Sequence, residues 1–426
     1  MTGTEKGGGL ITGSEKMINK MSNSKLGRWA TDATKDVINK SREGISAIKF
    51  SAGFDKVEEI KSFGDLAKTD SITQVMIVVI FLLFLMIFIW SVNKVGLNKK
   101  NCANIDEVYS KFPLISSISS KNDSFSYKLR DYYIKTAYNC CSSGKYKNDF
   151  VNLCALRSCI RQGARCLDFE IYSLDNQPVI AASSNRDFNV KETYNSILFS
   201  RAMETISNYA FSGSNCPNPN DPLILHFRIM SNNTKIHDEM AKQLYDTLSD
   251  KLLGKKFSYE NNGLNIGSYP LIKLRGKVII MVNKSNPVFV STLLNEYVNI
   301  TSNSAFVREL RFSEVKFTHD PDELLHYNKQ NMSIVFPDLS ANNRNYSYRL
   351  ARLYGCQMMG LSFQNFDNSM KDYTDFFDSA GSAFILKPED LRYSPVYIDK
   401  PKEQAKENSY EEFKYKVNDS LPELIQ

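Results

Sequence analysis

Two acidic side chains stand two residues apart in the run Arg165-Cys166-Leu167-Asp168-Phe169-Glu170. In an extended strand that spacing points Asp168 and Glu170 to one face. Such a pair can ligate a hard cation through oxygen, or it must be offset by a counter-charge, because crowded carboxylates are costly to ionise together. A second run, Pro222-Leu223-Ile224-Leu225-His226-Phe227-Arg228-Ile229, puts His226 and Arg228 on one face by the same alternation. Arg228 offers the planar fork that carboxylates favour. The other histidines, His237, His319 and His326, read as helix or loop surface. A zinc site from Cys154, Cys159 and Cys166 lacks both the tight C-x-x-C spacing and a paired histidine. The sequence shows no P-loop, no Ser-His-Asp arrangement and no dinucleotide fingerprint.

The elements that must position these residues alternate in type. Strand signals fall at 165–171, 222–229, 277–282, 358–363 and 383–386, with helical spacing at 191–211 and 237–253. The turn Asp175-Asn176-Gln177-Pro178 leads into the short apolar pair Val179-Ile180. Near-continuous apolar strands separated by helices predict a parallel sheet covered on both faces. Composition supports an α/β barrel and a doubly wound sheet equally.

Residues 72–92 carry no charge. At ~1.5 Å per residue they extend roughly 31 Å, enough to cross the hydrocarbon core of a bilayer. Trp90 lies at one end, where an indole favours the interface. The expectation is one transmembrane helix, with lysines on both sides leaving its orientation open. Ahead of it, 1–70 reads as disordered and then weakly amphipathic; behind it, 93–121 reads as a polar stalk and 394–426 as a polar tail. All eight cysteines follow the apolar segment, which fits either a disulfide cluster or buried thiols. The net charge of +6 is spread along the chain without a basic stripe, so nucleic acid is not an expected partner, whereas a bilayer is. The seven Asn-x-Ser/Thr sequons that follow the apolar segment carry little weight in a chain so rich in asparagine. Asn-, Lys- and Ile-heavy usage fits an AT-rich genome such as that of a large DNA virus or a protist.

In order along the chain, six fragments resemble the X and Y halves of the phosphoinositide-specific phospholipase C barrel. They are 165–170; Gln177-Pro178-Val179-Ile180; Leu274-Arg275-Gly276-Lys277-Val278-Ile279-Ile280; Tyr327-Asn328-Lys329-Gln330 with Phe336-Pro337; Gly355-Cys356-Gln357-Met358; and Leu386-Lys387-Pro388-Glu389. The resemblance covers roughly 125–393 and implies a TIM-type (β/α)8 barrel of the PLC-like phosphodiesterase kind. It implies an X-like half over 122–284, a linker over 285–325 and a Y-like half over 326–393.

The resemblance also implies a reaction: attack of the inositol 2-hydroxyl on phosphorus, with two histidines handling charge and protons and calcium lowering the hydroxyl's pKa. The chain departs from that pattern. Tyr138 and Ser184 stand where the two histidines belong, and Arg228 stands where a fourth, acidic calcium ligand belongs. Asn139, Asp168 and Glu170 remain as three oxygen donors if calcium is retained. Met281 and Asn283 fall where ring-phosphate lysines belong, and Asn345-Tyr346 matches a pair whose ring stacks on inositol. The expected ligand pocket is therefore Asn139, Asp168, Glu170, Arg228, His226 and Tyr346, with Arg228 replacing the ion by an internal salt bridge and no cofactor. The expected function is a membrane-anchored, non-hydrolysing binding or structural module, such as one of a viral membrane, for an inositide or protein partner. The alternative is an active phosphodiesterase that uses calcium and recruits His226 or Tyr138 as its acid.

Overall fold

In the computed structural model, residues 71–185, 187–258, 265–394, 414–415 and 424–425 are described. The expectations for 1–70 and for most of the tail lie outside them.

The apolar segment forms helix α1, Ser71–Val95, whose side chains from Val78 to Trp90 stand exposed. It is one helix long and apolar enough to cross a membrane. Gly96 keeps right-handed helical angles, and the chain runs on into α2, Leu97–Val108. The first part of the stretch read as a stalk is thus helical, with Ile105 buried and Cys102 bonded to Cys154.

Eight parallel strands follow in the β7-β6-β5-β2-β1-β10-β9-β8 order. They are β1 (Tyr132–Ala137), β2 (Cys166–Leu174), β5 (Leu223–Ile229), β6 (Val278–Asn283), β7 (Ile300–Ser302), β8 (Val307–Arg311), β9 (Met332–Phe336) and β10 (Met358–Leu361). Apart from β8, whose middle three residues are half-buried, their burial is nearly complete, as expected for strands covered by helices outside and by side chains within. Consecutive strands in this order are hydrogen-bonded, but β7 and β8 are not, so the barrel is nearly closed, with one seam. β3 (Gln177–Ala181) makes a hairpin with β2 through Asp175 and Asn176, both at positive φ, and β4 (Ile197–Leu198) pairs with β3. The end strand at 383–386 is not a barrel stave: β11, Phe384–Leu386, pairs antiparallel with β1 at its start.

The outer helices include α3 (Leu153–Arg161), α4 (Phe199–Tyr209), α5 (Thr234–Leu248), α6 (Phe312–Lys316), α7 (Pro321–Gln330), α8 (Arg349–Leu353) and α9 (Asn368–Ala380). Two differ from the periodicity. α4 starts eight residues later than the spacing predicted, because 191–198 are taken up by the β3–β4 pairing and by Asn195, which bonds the backbone of Val151. α5 starts earlier, capped by Asn233, and His237 is buried against the Ser231 carbonyl rather than on the surface. The stretch 285–325, expected to link two halves, supplies β7 and β8 themselves. Of the cysteines, Cys102 and Cys154 are disulfide-bonded and the other six are buried thiols.

Candidate active site at the barrel mouth

The carboxyl ends of the parallel strands bring five of the six expected pocket residues together. β2 carries Asp168 and Glu170, and β5 pairs in register so that His226 faces Asp168 and Arg228 faces Glu170. Asn139 follows β1 at φ +44, a left-handed angle that asparagine tolerates and that turns its side chain inward.

Arg228 grips Asp168 with both arms of its fork. Nε donates to Oδ1 at 3.0 Å and Nη2 to Oδ2 at 2.9 Å. Nη2 also donates to Asn139 Oδ1 at 2.7 Å, and Nη1 lies 3.7 Å from Glu170 Oε2. Asp168 further accepts from the Asn139 backbone N–H at 3.0 Å. Glu170 accepts from the Tyr172 hydroxyl at 3.0 Å and the Ser183 N–H at 3.3 Å. Asp168, Glu170 and Arg228 are all buried.

Burial alone would push the Asp168 carboxyl up, but the Arg228 charge and the His226 hydrogen bond outweigh it and hold Asp168 well below the usual range. Burial raises Glu170 despite Arg228 and Tyr172. Burial works against the Arg228 charge as well, yet Asp168, Tyr138 and Glu170 together hold it far above its ordinary value.

A calcium ion does not fit this donor set. The Asp168 and Asn139 oxygens it would need already accept N–H groups, and a permanently charged guanidinium stands among them. Among the described residues no three histidines, cysteines or carboxylates converge as metal ligands.

Tyr138, at the first lost-histidine position, is a buried wall. Its ring lies 5.0 Å from the Arg228 guanidinium and 4.8 Å from the Phe336 ring, and its hydroxyl accepts from Arg311 at 3.3 Å. Ser184, at the second, is not part of the cluster. Its backbone N–H donates to Glu192 at 2.7 Å, its hydroxyl bonds the same carboxylate, and Glu192 in turn pairs with Lys147. Tyr346 is corrected too: its ring stacks on Phe312 and its hydroxyl donates to the Val335 carbonyl, so it packs behind the strands instead of lining the cleft.

His226 is fully buried. Nδ1 meets Asp168 Oδ1 at 2.8 Å and Nε2 meets Ser302 Oγ at 2.8 Å. The three residues reproduce the contacts of a Ser-His-Asp triad, which the sequence did not reveal. Ser302 is wholly buried, and its hydroxyl also lies within hydrogen-bond distance of Glu309, at 3.2 Å. Glu309 also accepts from Asn283. Ser302, Glu309 and Arg311 were missed because they sit in the stretch read as a linker. The signal was there: in Val307-Arg308-Glu309-Leu310-Arg311, alternation puts Glu309 and Arg311 on one face. Arg228, Asn283, Glu309 and Arg311 line a cleft of about 110 Å³ at the mouth, with Phe188 and Met230 on its rim.

Residues 125–284 match the family described as phosphatidylinositol-specific phospholipase C, X domain, and residues 284–390 match its Y domain. Among solved structures, the chain is similar to PLC21 of S. officinalis, with 19% identity over 67% of this chain and 40% of that one and a TM-score of 0.53. It is similar to PLC21 of L. pealei, with 19% identity over 63% of this chain and 38% of that one and a TM-score of 0.51. The chain therefore spans about two fifths of the length of these structures, and at such identity the likeness is one of fold. With X-domain and Y-domain matches that meet at residue 284 and cover the eight staves between them, this chain carries a phosphoinositide-specific phospholipase C-like barrel.

Proposed function

We propose that this barrel is a membrane-anchored, non-hydrolysing member of its fold, a binding module whose ion seat is filled by Arg228. The observation that carries the reading is the two-armed grip of Arg228 on Asp168, extended to Asn139. It puts a fixed positive charge where the resembling enzymes use a metal, without the metal's ability to polarise a hydroxyl into a nucleophile. Proton handling is missing as well. His226 is sealed between Asp168 and Ser302, and Ser184 is held by Glu192, so neither reaches a leaving group. Helix α1 supplies the anchor, and an inositide-type lipid is the ligand class the fold favours.

The test is assay of the full chain in phosphatidylinositol-containing vesicles, with calcium and with chelator. The expected result is no released inositol phosphate in either condition and no calcium-dependent rise in melting temperature. Arg228→Glu is expected to create calcium-dependent stabilisation, because it restores an acidic ligand beside Asp168, Glu170 and Asn139. Turnover by the unmodified chain that Asp168→Ala abolishes would establish the phosphodiesterase reading instead.

A further inference from the structure

The fold sorts the sequons that follow the apolar segment into two groups. Asn283, Asn299 and Asn345 are at most 8% exposed, and their amides are spent inside the barrel. Asn283 Nδ2 donates to Glu309, Asn299 Nδ2 to the Phe257 carbonyl at 3.3 Å, and Asn345 Nδ2 to the Asn365 carbonyl at 2.8 Å. Asn331 is half-buried, and the serine of its sequon, Ser333, is buried with its hydroxyl donated to Asn328 at 2.6 Å. Asn418 lies outside the described residues. Asn122 and Asn232 differ from all of these, because both stand exposed. Asn122 Oδ1 accepts from the Ser124 N–H at 3.0 Å, which leaves Nδ2 without a partner among the described residues. Asn232 makes no side-chain hydrogen bond among the described residues, and the threonine of its sequon, Thr234, is exposed too. Such a surface asparagine is an acceptor for N-linked sugar in a compartment that supplies the donor.

A second observation points to that compartment. Cys102 and Cys154 are bonded to each other. Such a bond forms and persists in an oxidising space, where the two thiols pass two electrons and two protons to a disulfide-bearing oxidant. The six cysteines that stay reduced are each at most 2% exposed, so burial shields them from the same oxidant. Both bonded cysteines and both exposed sequons follow the apolar segment, so one translocation puts all four on the same side of a membrane.

We infer that the barrel lies on the oxidising side of its membrane and carries N-linked sugar at Asn122 and Asn232. In each transfer the amide Nδ2 forms a bond to the anomeric carbon of an oligosaccharide. The bond from that carbon to the pyrophosphate of a lipid-linked donor breaks, and the amide proton leaves with the lipid pyrophosphate. Asn122 precedes the amino end of β1 and Asn232 follows the carboxyl end of β5, so the two sugars occupy opposite ends of the barrel. A further sequon, Asn39-Lys40-Ser41, stands ahead of the apolar segment. It falls on the other side of the membrane in this arrangement and stays bare, a clause that rests on the reading of α1 as a span.

The test uses full chain expressed in cultured animal cells, whose membranes are first extracted with alkaline carbonate. Enzymatic removal of N-linked sugar in heavy-oxygen water turns each modified asparagine into labelled aspartate, which mass spectrometry locates. The expected result is a carbonate-resistant chain labelled at Asn122 and Asn232 and unlabelled at Asn39, Asn283, Asn299, Asn331 and Asn345. Asn122→Gln and Asn232→Gln should each remove one glycan's step from the gel mobility. Ser124→Ala and Thr234→Ala should do the same with the asparagine in place, so that one poorly tolerated substitution does not decide the result. A carbonate-resistant chain labelled at Asn39, or bare at both Asn122 and Asn232, would overturn the inference while the membrane span stands. A chain labelled at Asn122 and Asn232 but released by carbonate would uphold the two sites and overturn the span.

Discussion

Arg228 and Asp168 are joined by two parallel hydrogen bonds, 2.9 and 3.0 Å long, in a buried site at the floor of the cleft. Removing one partner strands the other. Arg228→Ala is expected to cost about 3–5 kcal/mol, the range for breaking a buried ion pair, measured by urea denaturation. Arg228→Lys is expected to recover only part of it, because a point charge cannot occupy both oxygens and Asn139 at once. Equal stability for Arg228→Ala and the unmodified chain would dismiss the charge-replacement account.

Tyr346→Phe removes a single hydrogen bond to the Val335 carbonyl. A loss of roughly 1 kcal/mol is expected, and retention of any lipid bound by the barrel should be unaffected. Weaker lipid binding by this variant, scored by vesicle flotation, would return Tyr346 to the cleft.

The fold was legible from alternating strand and helix signals, and Asp168, Glu170, His226 and Arg228 from period-two spacing on two long strands. What escaped were residues on very short staves. β7 has three residues, too few to display an alternation, and its polar Thr301 and Ser302 resemble loop. Tyr346 failed for a different reason: a matching residue pair fixes position along the chain but not which side of a strand the ring packs against. The burial of His237 was likewise invisible, because a helical stripe of Met240, Leu244 and Leu248 does not say how far round the helix the core reaches.

Two buried lysines give stability an unusual pH course. Burial lowers Lys387 to about 7 and Lys135 to about 8, the latter despite Asp378. Their folded values lie below the ~10.4 of the unfolded chain, so between those limits the unfolded state binds more protons and stability rises with pH. Buried thiols oppose this. Burial raises Cys140, Cys159, Cys166 and Cys356, so above the ~8.5 of a free thiol the unfolded state sheds protons and stability falls. Melting curves taken from pH 6 to 10 should peak near ~8, and Lys387→Met should flatten the rising limb. A monotonic fall from pH 6 would refute the assignment.

The Cys102–Cys154 bond closes a separation of 52 residues. Cys102→Ser is expected to cost about 2–4 kcal/mol and to expose α2 to limited proteolysis between 97 and 108 while the barrel survives. Unchanged cleavage would mean that the noncovalent contacts of Asn98 and Asn101 suffice.

Glu309 receives Asn283 and Ser302 from the strands across the seam. Glu309→Ala leaves buried donors without an acceptor, costing about 1–3 kcal/mol. Hydrogen exchange should quicken selectively in β7 and β8, and a uniform change along the chain would argue against a local tie.

That seam makes the cylinder a curled ribbon. Its first and last ribs, β7 and β8, are stitched by side chains and by the short tether 303–306 rather than by a backbone ladder. The X-type strands are accordingly joined to the Y-matched part by two backbone ladders, β1 to β10 and β6 to β7, and the seam between β7 and β8 falls within the Y-matched part. A disturbance at the mouth has two ways to propagate between β7 and β8, one stiff and one compliant, and the compliant route passes directly beneath the cleft.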